Sequence, residues 1–184
     1  ALEQWFARVH KGSAGALAIV GDSGVGKTTL SGAFLESLRT HGRARVLSGR
    51  CFVHEALAYN AFDEIVEALS HWLRQLSDAA RAAILPVDFT ALTRLFPALR
   101  EAGLPESASD ASPAPAGLGE RTRAFRALHQ LLERMSLEQA LVLHVDDLQW
   151  ADADSQALLR ELLEDPVPRL CVLVTVRSDA AQTE

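Results

Sequence analysis

The stretch Ala16-Leu-Ala-Ile-Val-Gly-Asp-Ser-Gly-Val-Gly-Lys-Thr-Thr-Leu30 decides the fold. It reads as a buried strand, a glycine-rich turn and the first turn of a helix. Gly21, Gly26, Lys27 and Thr28 satisfy the G-x-x-x-x-G-K-[ST] phosphate-loop pattern, with Asp22, Ser23, Gly24, Val25 and Thr29 completing the candidate binding loop. The residue types suit an anionic ligand. A helix N-terminus offers free backbone N–H donors and the positive end of its dipole. Gly21, Gly24 and Gly26 let the backbone curl without Cβ clashes. Lys27 supplies a mobile cation for β- and γ-phosphates, and the Thr28 hydroxyl is placed to ligate Mg²⁺. Among 18 basic residues only Lys11 and Lys27 are lysines, so this arginine-rich chain keeps a lysine where a compact point charge is wanted.

Outward from that loop, composition narrows the class. At 184 residues and 48% apolar content the chain suits one globular domain with one sizeable core. A net charge of −6 argues against a broad nucleic-acid footprint. No apolar run approaches the ~18 residues that span a membrane. Cys51 and Cys171 read as buried thiols in a reducing, cytoplasmic setting, not as a disulfide framework. The chain begins at Ala1 and ends soon after a strand, which reads as an excerpt of something longer.

Residues 1–13 read as a short helix with Leu2, Trp5, Phe6 and Val9 on one face. The helix after the phosphate loop should run to about Arg39 and close at His41-Gly42. Arg45 to Cys51 is a second strand, less apolar and so nearer a sheet edge. Phe62 to Leu76 has helical periodicity, and Ser77 to Arg100 holds further helices broken at Pro86 and Pro97. Residues 103–119, rich in Pro, Ala, Ser and Gly, read as a flexible surface loop. Glu120 to Met135 is an amphipathic helix. Ala140 to Val145, ending in Asp146-Asp147, is an apolar strand; Asp152 to Glu164 is a helix capped by Asp152 or Asp154, and Leu170 to Val176 is a fourth strand. Strands alternating with helices specify an α/β fold with a mostly parallel sheet in three layers, ligands lying at the carboxyl ends of the strands.

Phosphoryl transfer to water also needs a metal held opposite the loop and a group that orients the nucleophile. Asp146, ending an apolar strand, fits the Walker B role of holding Mg²⁺. Asp147 follows where a second carboxylate could polarise water, and Arg177 stands past the fourth strand as a candidate γ-phosphate sensor. Candidate catalytic residues are therefore Asp147, Lys27 and Arg177, and the metal side chains are Thr28 and Asp146. A strand and several helices between Lys27 and Asp146 indicate an NTPase core with an extra strand between the two Walker strands. His144, on the Asp146 side of the pleat, reads as a packed, hydrogen-bonded core histidine. Tyr59 and Trp150 read as packing residues, and Arg121 and Arg123 as a solvated helix start.

With these residues in hand, the chain resembles the STAND-type, AAA-like ATPase modules of bacterial signalling proteins. The likeness rests on Gly21 to Thr29, on Gly49-Arg-Cys51 followed by Tyr59 and Phe62, and on Leu85-Pro86 leading to Leu95-Phe96-Pro97. Val145-Asp-Asp-Leu-Gln-Trp-Ala-Asp152 and Val176-Arg177-Ser178 complete it. The nearest likeness is to modules fused to bacterial serine/threonine protein kinases; related ones accompany LuxR-type DNA-binding domains or nucleotide cyclases. The resemblance implies an ATP- and Mg²⁺-dependent switch read by an effector domain in the same chain. Helical repeats would follow, and nucleotide-dependent self-association is compatible with such a module. The Gly-Arg-Glu stretch that holds adenine in the family and its downstream winged-helix region are not in this sequence. Asp147 stands where fast-hydrolysing relatives carry Glu, one methylene longer, so the expectation is ATP binding with slow turnover. ATP is favoured over GTP because no Asn/Thr-Lys-x-Asp guanine-reading motif occurs. A non-hydrolysing nucleotide-binding scaffold and a ring-forming remodelling ATPase are the alternatives.

Overall fold

A computed structural model describes residues 1–53, 58–102 and 118–178. Among the described residues the elements follow in the order α1 (Leu2–His10), β1 (Gly15–Gly21), α2 (Lys27–Thr40), β2 (Arg45–Arg50), α3 (Asp63–Gln75), α4 (Asp78–Ile84), α5 (Phe89–Leu95), a 3₁₀ turn (Pro97–Ala102), α6 (Leu118–Glu138), β3 (Leu141–Asp146), a 3₁₀ turn (Leu148–Trp150), α7 (Ala153–Glu164) and β4 (Leu170–Arg177). The chain divides into two compact units, residues 1–65 with 135–184, and residues 66–134.

The first unit holds a four-stranded, wholly parallel sheet in the order β1-β4-β3-β2. β4 therefore lies between β1 and β3, filling the place of the extra strand expected between the two Walker strands. β3 is buried along its whole length, and β4 up to Thr175. Their near-unbroken apolar runs are those of parallel strands buried on both faces. On one face Leu17, Ile19, Val142, Cys171 and Leu173 pack with Trp5, Phe6 and Val9 of α1 and Phe34, Leu35 and Leu38 of α2. Phe6 meets Phe34 edge-on at 6.3 Å between ring centres.

β2 is at a sheet edge, as its mixed composition suggested. β1 is at the other edge, and here the reading of Ala16–Val20 as a buried strand is corrected. Its residues alternate between half-buried and exposed, Val20 being 59% exposed. An apolar run is compatible with either environment; only the strand order decides which side chains meet a neighbour.

Close approach fixes one glycine of β2. A Cβ on Gly49 would stand 2.7 Å from the Ala61 carbonyl oxygen and 3.3 Å from Ile65. The His41-Gly42 helix stop is as expected, with Gly42 left-handed at φ +61°.

The second unit is helical. Ser70 Oγ donates to the Ala98 carbonyl at 2.7 Å, and Arg81 donates to the carbonyls of Leu73 and Leu76 at 3.1 and 3.0 Å. Helices end ahead of Pro86 and Pro97, where a ring would collide with the preceding turn. The Pro/Ala/Ser/Gly stretch read as a loop lies, but for its last two residues, outside the described residues. Among the described residues no helix is long and apolar enough to cross a membrane.

Candidate functional site

Parallel register brings the strand ends into one row. Gly21 pairs with Arg177 across β1 and β4, and Arg50 pairs with Asp146 across β2 and β3. All four lie at carboxyl ends, beside the N-terminus of α2. Ser23, Gly24, Gly26, Lys27, Thr28, Thr29, Arg50, Asp147 and Arg177 line one polar cleft of about 260 Å³.

The loop has the conformation its glycines permit. Gly24 and Gly26 are left-handed, at φ +81° and +95°. Gly26 is the N-cap of α2 and supplies no side-chain cap, so the first-turn N–H groups have neither intrahelical nor side-chain acceptors. Lys27 is buried and its Nζ donates to the carbonyls of Gly21 at 2.7 Å and Asp22 at 2.9 Å. The ammonium is thus held within its own loop. Val25, 63% exposed, points away, and the Asp22 carboxylate bonds Ser178 Oγ.

The Thr28 hydroxyl straddles the Asp146 carboxylate, donating to Oδ2 at 3.1 Å with Oδ1 at 3.3 Å. Thr175 Oγ1 donates to the same Oδ1 at 2.5 Å and accepts from Asp147 N at 2.9 Å. Thr28 and Asp146 present adjoining hard oxygens, the donor type Mg²⁺ takes. Among the described residues no group of three His, Cys, Asp or Glu side chains could hold a metal. A Mg²⁺ ion here would draw its remaining ligands from phosphate and water, which suits its preference for retaining waters.

Asp147 is the most heavily engaged side chain of the cleft. Gln149 Nε2 and Arg177 Nε donate to its Oδ1 at 3.0 and 3.3 Å, and Arg50 Nη2 donates to Oδ2 at 3.1 Å. Burial by itself raises this carboxyl, but the bonds from Gln149, Arg50 and Arg177 outweigh it and hold it below the ordinary aspartate value. Asp147 is also left-handed, at φ +56°, a conformation that costs a non-glycine residue about 1 kcal/mol or more. Such strain persists where surrounding contacts over-determine it, as the bonds of Asp147 to Arg50, Gln149, Trp150, Thr175 and Arg177 do.

Arg50, Gln149, Thr175 and Ser178 were not read as site residues from the sequence. Arg50 also places its Nε 3.8 Å from Asp146 Oδ2 and its guanidinium 5.6 Å from the Phe52 ring centre. Gln149 bridges two candidates, accepting from Arg177 N at 3.1 Å while donating to Asp147. Two signals were available: an arginine ending a strand, and a lone threonine in the apolar run Leu170–Val176. His144 is packed as expected, but its Nε2 has no hydrogen-bond partner among the described residues. Burial pushes its imidazole pKa down against the opposing charge of Asp146. Tyr59 is buried, whereas Trp150 is 38% exposed.

The geometry can therefore receive a polyphosphate at a glycine loop and helix N-terminus, with a carboxylate–hydroxyl pair opposite and two arginines alongside. No curated protein matches the chain. The family model for the AAA ATPase domain matches residues 1–174. The chain belongs to the AAA ATPase domain family, whose members bind nucleotide and carry ATPase activity.

Proposed function

We propose that the chain is an ATP-binding, slowly hydrolysing switch module of a larger bacterial signalling protein. The observation that carries this reading is the convergence of Lys27, Thr28, Asp147, Arg177 and Arg50 on one cleft, with Asp146 bonded to Thr28. Lys27 and the first-turn N–H groups of α2 hold the phosphates, and Thr28 and Asp146 hold Mg²⁺. The metal, when bound, neutralises charge on the β- and γ-phosphates. Asp147 orients the attacking water, and Arg177 distinguishes ATP from ADP by the γ-phosphate charge.

The occupancy of Asp147 supports slow turnover. Both its oxygens accept bonds from Arg50, Arg177 and Gln149, and its depressed pKa makes it a weak proton acceptor. The same engagement favours a second reading, a nucleotide-binding scaffold that does not hydrolyse. An effector domain in the same chain, a protein kinase before a cyclase or DNA-binding domain, rests on the motif resemblance described above. Downstream helical repeats and nucleotide-dependent self-association rest on it too. The two buried cysteines suit a reducing cytoplasm.

Titration calorimetry with MgATP tests the binding reading: affinity should collapse in Lys27→Ala, and equal affinity would remove the phosphate-loop assignment. Phosphate release separates the switch from the scaffold. Turnover that falls in Asp147→Asn with binding retained supports the switch; release no greater than that of an Asp146→Asn/Asp147→Asn double variant supports the scaffold.

A further inference from the structure

Six residues beyond Asp146, one carboxylate collects more hydrogen bonds than its place at a helix start requires. Asp152 is the N-cap of α7, and its Oδ1 accepts from Asp154 N and Ser155 N, both at 2.9 Å. That completes an ordinary cap. Yet Oδ1 also accepts from Tyr59 N at 3.1 Å, and Oδ2 accepts from Asn60 N at 2.8 Å and Ser155 Oγ at 2.5 Å. The next N–H along, that of Ala61, donates to Ser155 Oγ at 3.1 Å. Three consecutive backbone donors ahead of α3 are thus satisfied by two side chains more than 90 residues away in sequence.

The attachment is reciprocal. Asn60, 3% exposed, accepts from Asp152 N at 3.3 Å through Oδ1 and donates to the Trp150 carbonyl at 3.2 Å through Nδ2. Trp150 closes the 3₁₀ turn that starts at Asp147, its N–H donating to the Asp147 carbonyl at 3.0 Å. Each end of the network carries a non-glycine residue in the left-handed region, Tyr59 at φ +66° and Asp147 at +56°. The chain leaves Arg50 for one end and Asp146 for the other. The two segments that present Arg50 and Asp147 to the cleft are therefore joined directly as well as through the Arg50–Asp147 ion pair.

We propose that Asp152 is a positioning residue whose carboxylate latches the Asp147 turn to residues 59–61, so that nucleotide held in the cleft is registered at the start of α3. The inference rests on the ATP-binding reading given above. When Arg50 exchanges the Asp147 carboxylate for a phosphate, the 3₁₀ turn that begins at Asp147 shifts, and the latch carries that shift to the Tyr59–Ala61 backbone. An ordinary cap would not do this, because it ends within its own helix.

Asp152→Asn isolates the latch. Asparagine caps helices as well as aspartate does, so the bonds from Asp154 N and Ser155 N are kept. The second oxygen becomes an amide donor facing the donors Asn60 N and Ser155 Oγ, so the hold on Asn60 is lost and of the latch only the bond from Tyr59 N to Oδ1 is kept. Amide hydrogen exchange is followed in the 184-residue chain with and without Mg²⁺ and a non-hydrolysable ATP analogue, alongside the analogue's Kd. In the wild type, nucleotide should slow exchange at the amides of residues 59–61 about tenfold. In Asp152→Asn that response should vanish at residues 60 and 61 with Kd changed by less than about twofold. Asp152→Ser, which keeps a helix-capping oxygen but has no second oxygen to hold Asn60 N, should do the same and serves if Asp152→Asn does not fold. A response retained at residues 60 and 61 in either variant overturns the proposal, as does a wild type that binds the analogue with no change at 59–61. A wild type that binds no analogue overturns the ATP reading, and the latch with it.

Discussion

Thr28 and Asp146 stand 118 residues apart in sequence and meet at 3.1 Å, hydroxyl to carboxylate. The contact joins the phosphate loop to the end of β3, two strands away across the sheet. With no group of three metal-ligating carboxylates, cysteines or histidines among the described residues, this pair would supply the protein's share of the proposed Mg²⁺ site. Thr28→Ala should weaken MgATP binding by about tenfold, equivalent to ~1.4 kcal/mol. It should leave metal-free ATP binding within about twofold, and Thr28→Ser should restore the loss. Calorimetry with Mg²⁺ and with EDTA checks this; an equal loss under both conditions would assign Thr28 to the phosphates instead.

Arg50 reaches Asp147 from the opposite edge of the sheet and is one of three groups that depress its pKa against burial. Arg50→Ala should therefore move the Asp147 carboxyl upward toward, or past, the ordinary aspartate value. Carbon-detected NMR titration of the carboxyl, with Arg177→Ala as companion, measures it. An unchanged titration would mean that Gln149 and Arg177 suffice.

Gly49 is fixed by space. Its missing Cβ would stand 2.7 Å from the Ala61 carbonyl, a backbone atom that cannot swing aside as a side chain would. Gly49→Ala should cost about 1–3 kcal/mol, as overpacking commonly does. For a chain this long that is a fall of several degrees in Tm. Differential scanning calorimetry decides it, and an unchanged Tm would show that residues 59–61 yield easily.

Asp152 gives the fold a pH dependence of known sign. Burial raises its carboxyl, but bonds from the Ser155 hydroxyl and from the N–H groups of Ser155, Tyr59 and Asn60 bring it below the ordinary value. A carboxyl depressed on folding stabilises the native state above its unfolded pKa and stops doing so as pH falls through the folded value. The Tm gap between wild type and Asp152→Asn should hold steady from about pH 7 to about 5 and close only below about 4. A gap that closes on raising the pH would contradict the assignment.

Much of this was legible from the chain itself. Periodicity places α2, α3, α6 and α7 to within a few residues, because burying one face of a helix forces apolar residues to recur every three or four positions. The loop Gly21–Thr29 is written in residue types whose conformational freedom and charge are local properties, so no neighbour is needed to read it. The strand and helices between Lys27 and Asp146 pointed to an extra strand between the two Walker strands, although the strand that fills that place, β4, follows Asp146 in the chain.

Pairing decided the rest. Whether Ala16–Val20 is central or at an edge depends on which strands flank it, and β4 takes only one side. Arg50 enters the cleft because β2 is in register with β3 at Asp146; a slip of one residue would turn it to the opposite face. Thr175 joins Asp146 to Asp147 only because β4 runs beside β3. Asp152 was readable as a helix cap, a local role, but its hold on Tyr59 and Asn60 is set by the tertiary fold. The sequence by itself determined which side chains could hold phosphate and metal. The tertiary structure alone decided that two arginines, a glutamine and a threonine surround the two aspartates, because hydrogen-bond partners distant in sequence are chosen by strand order and register.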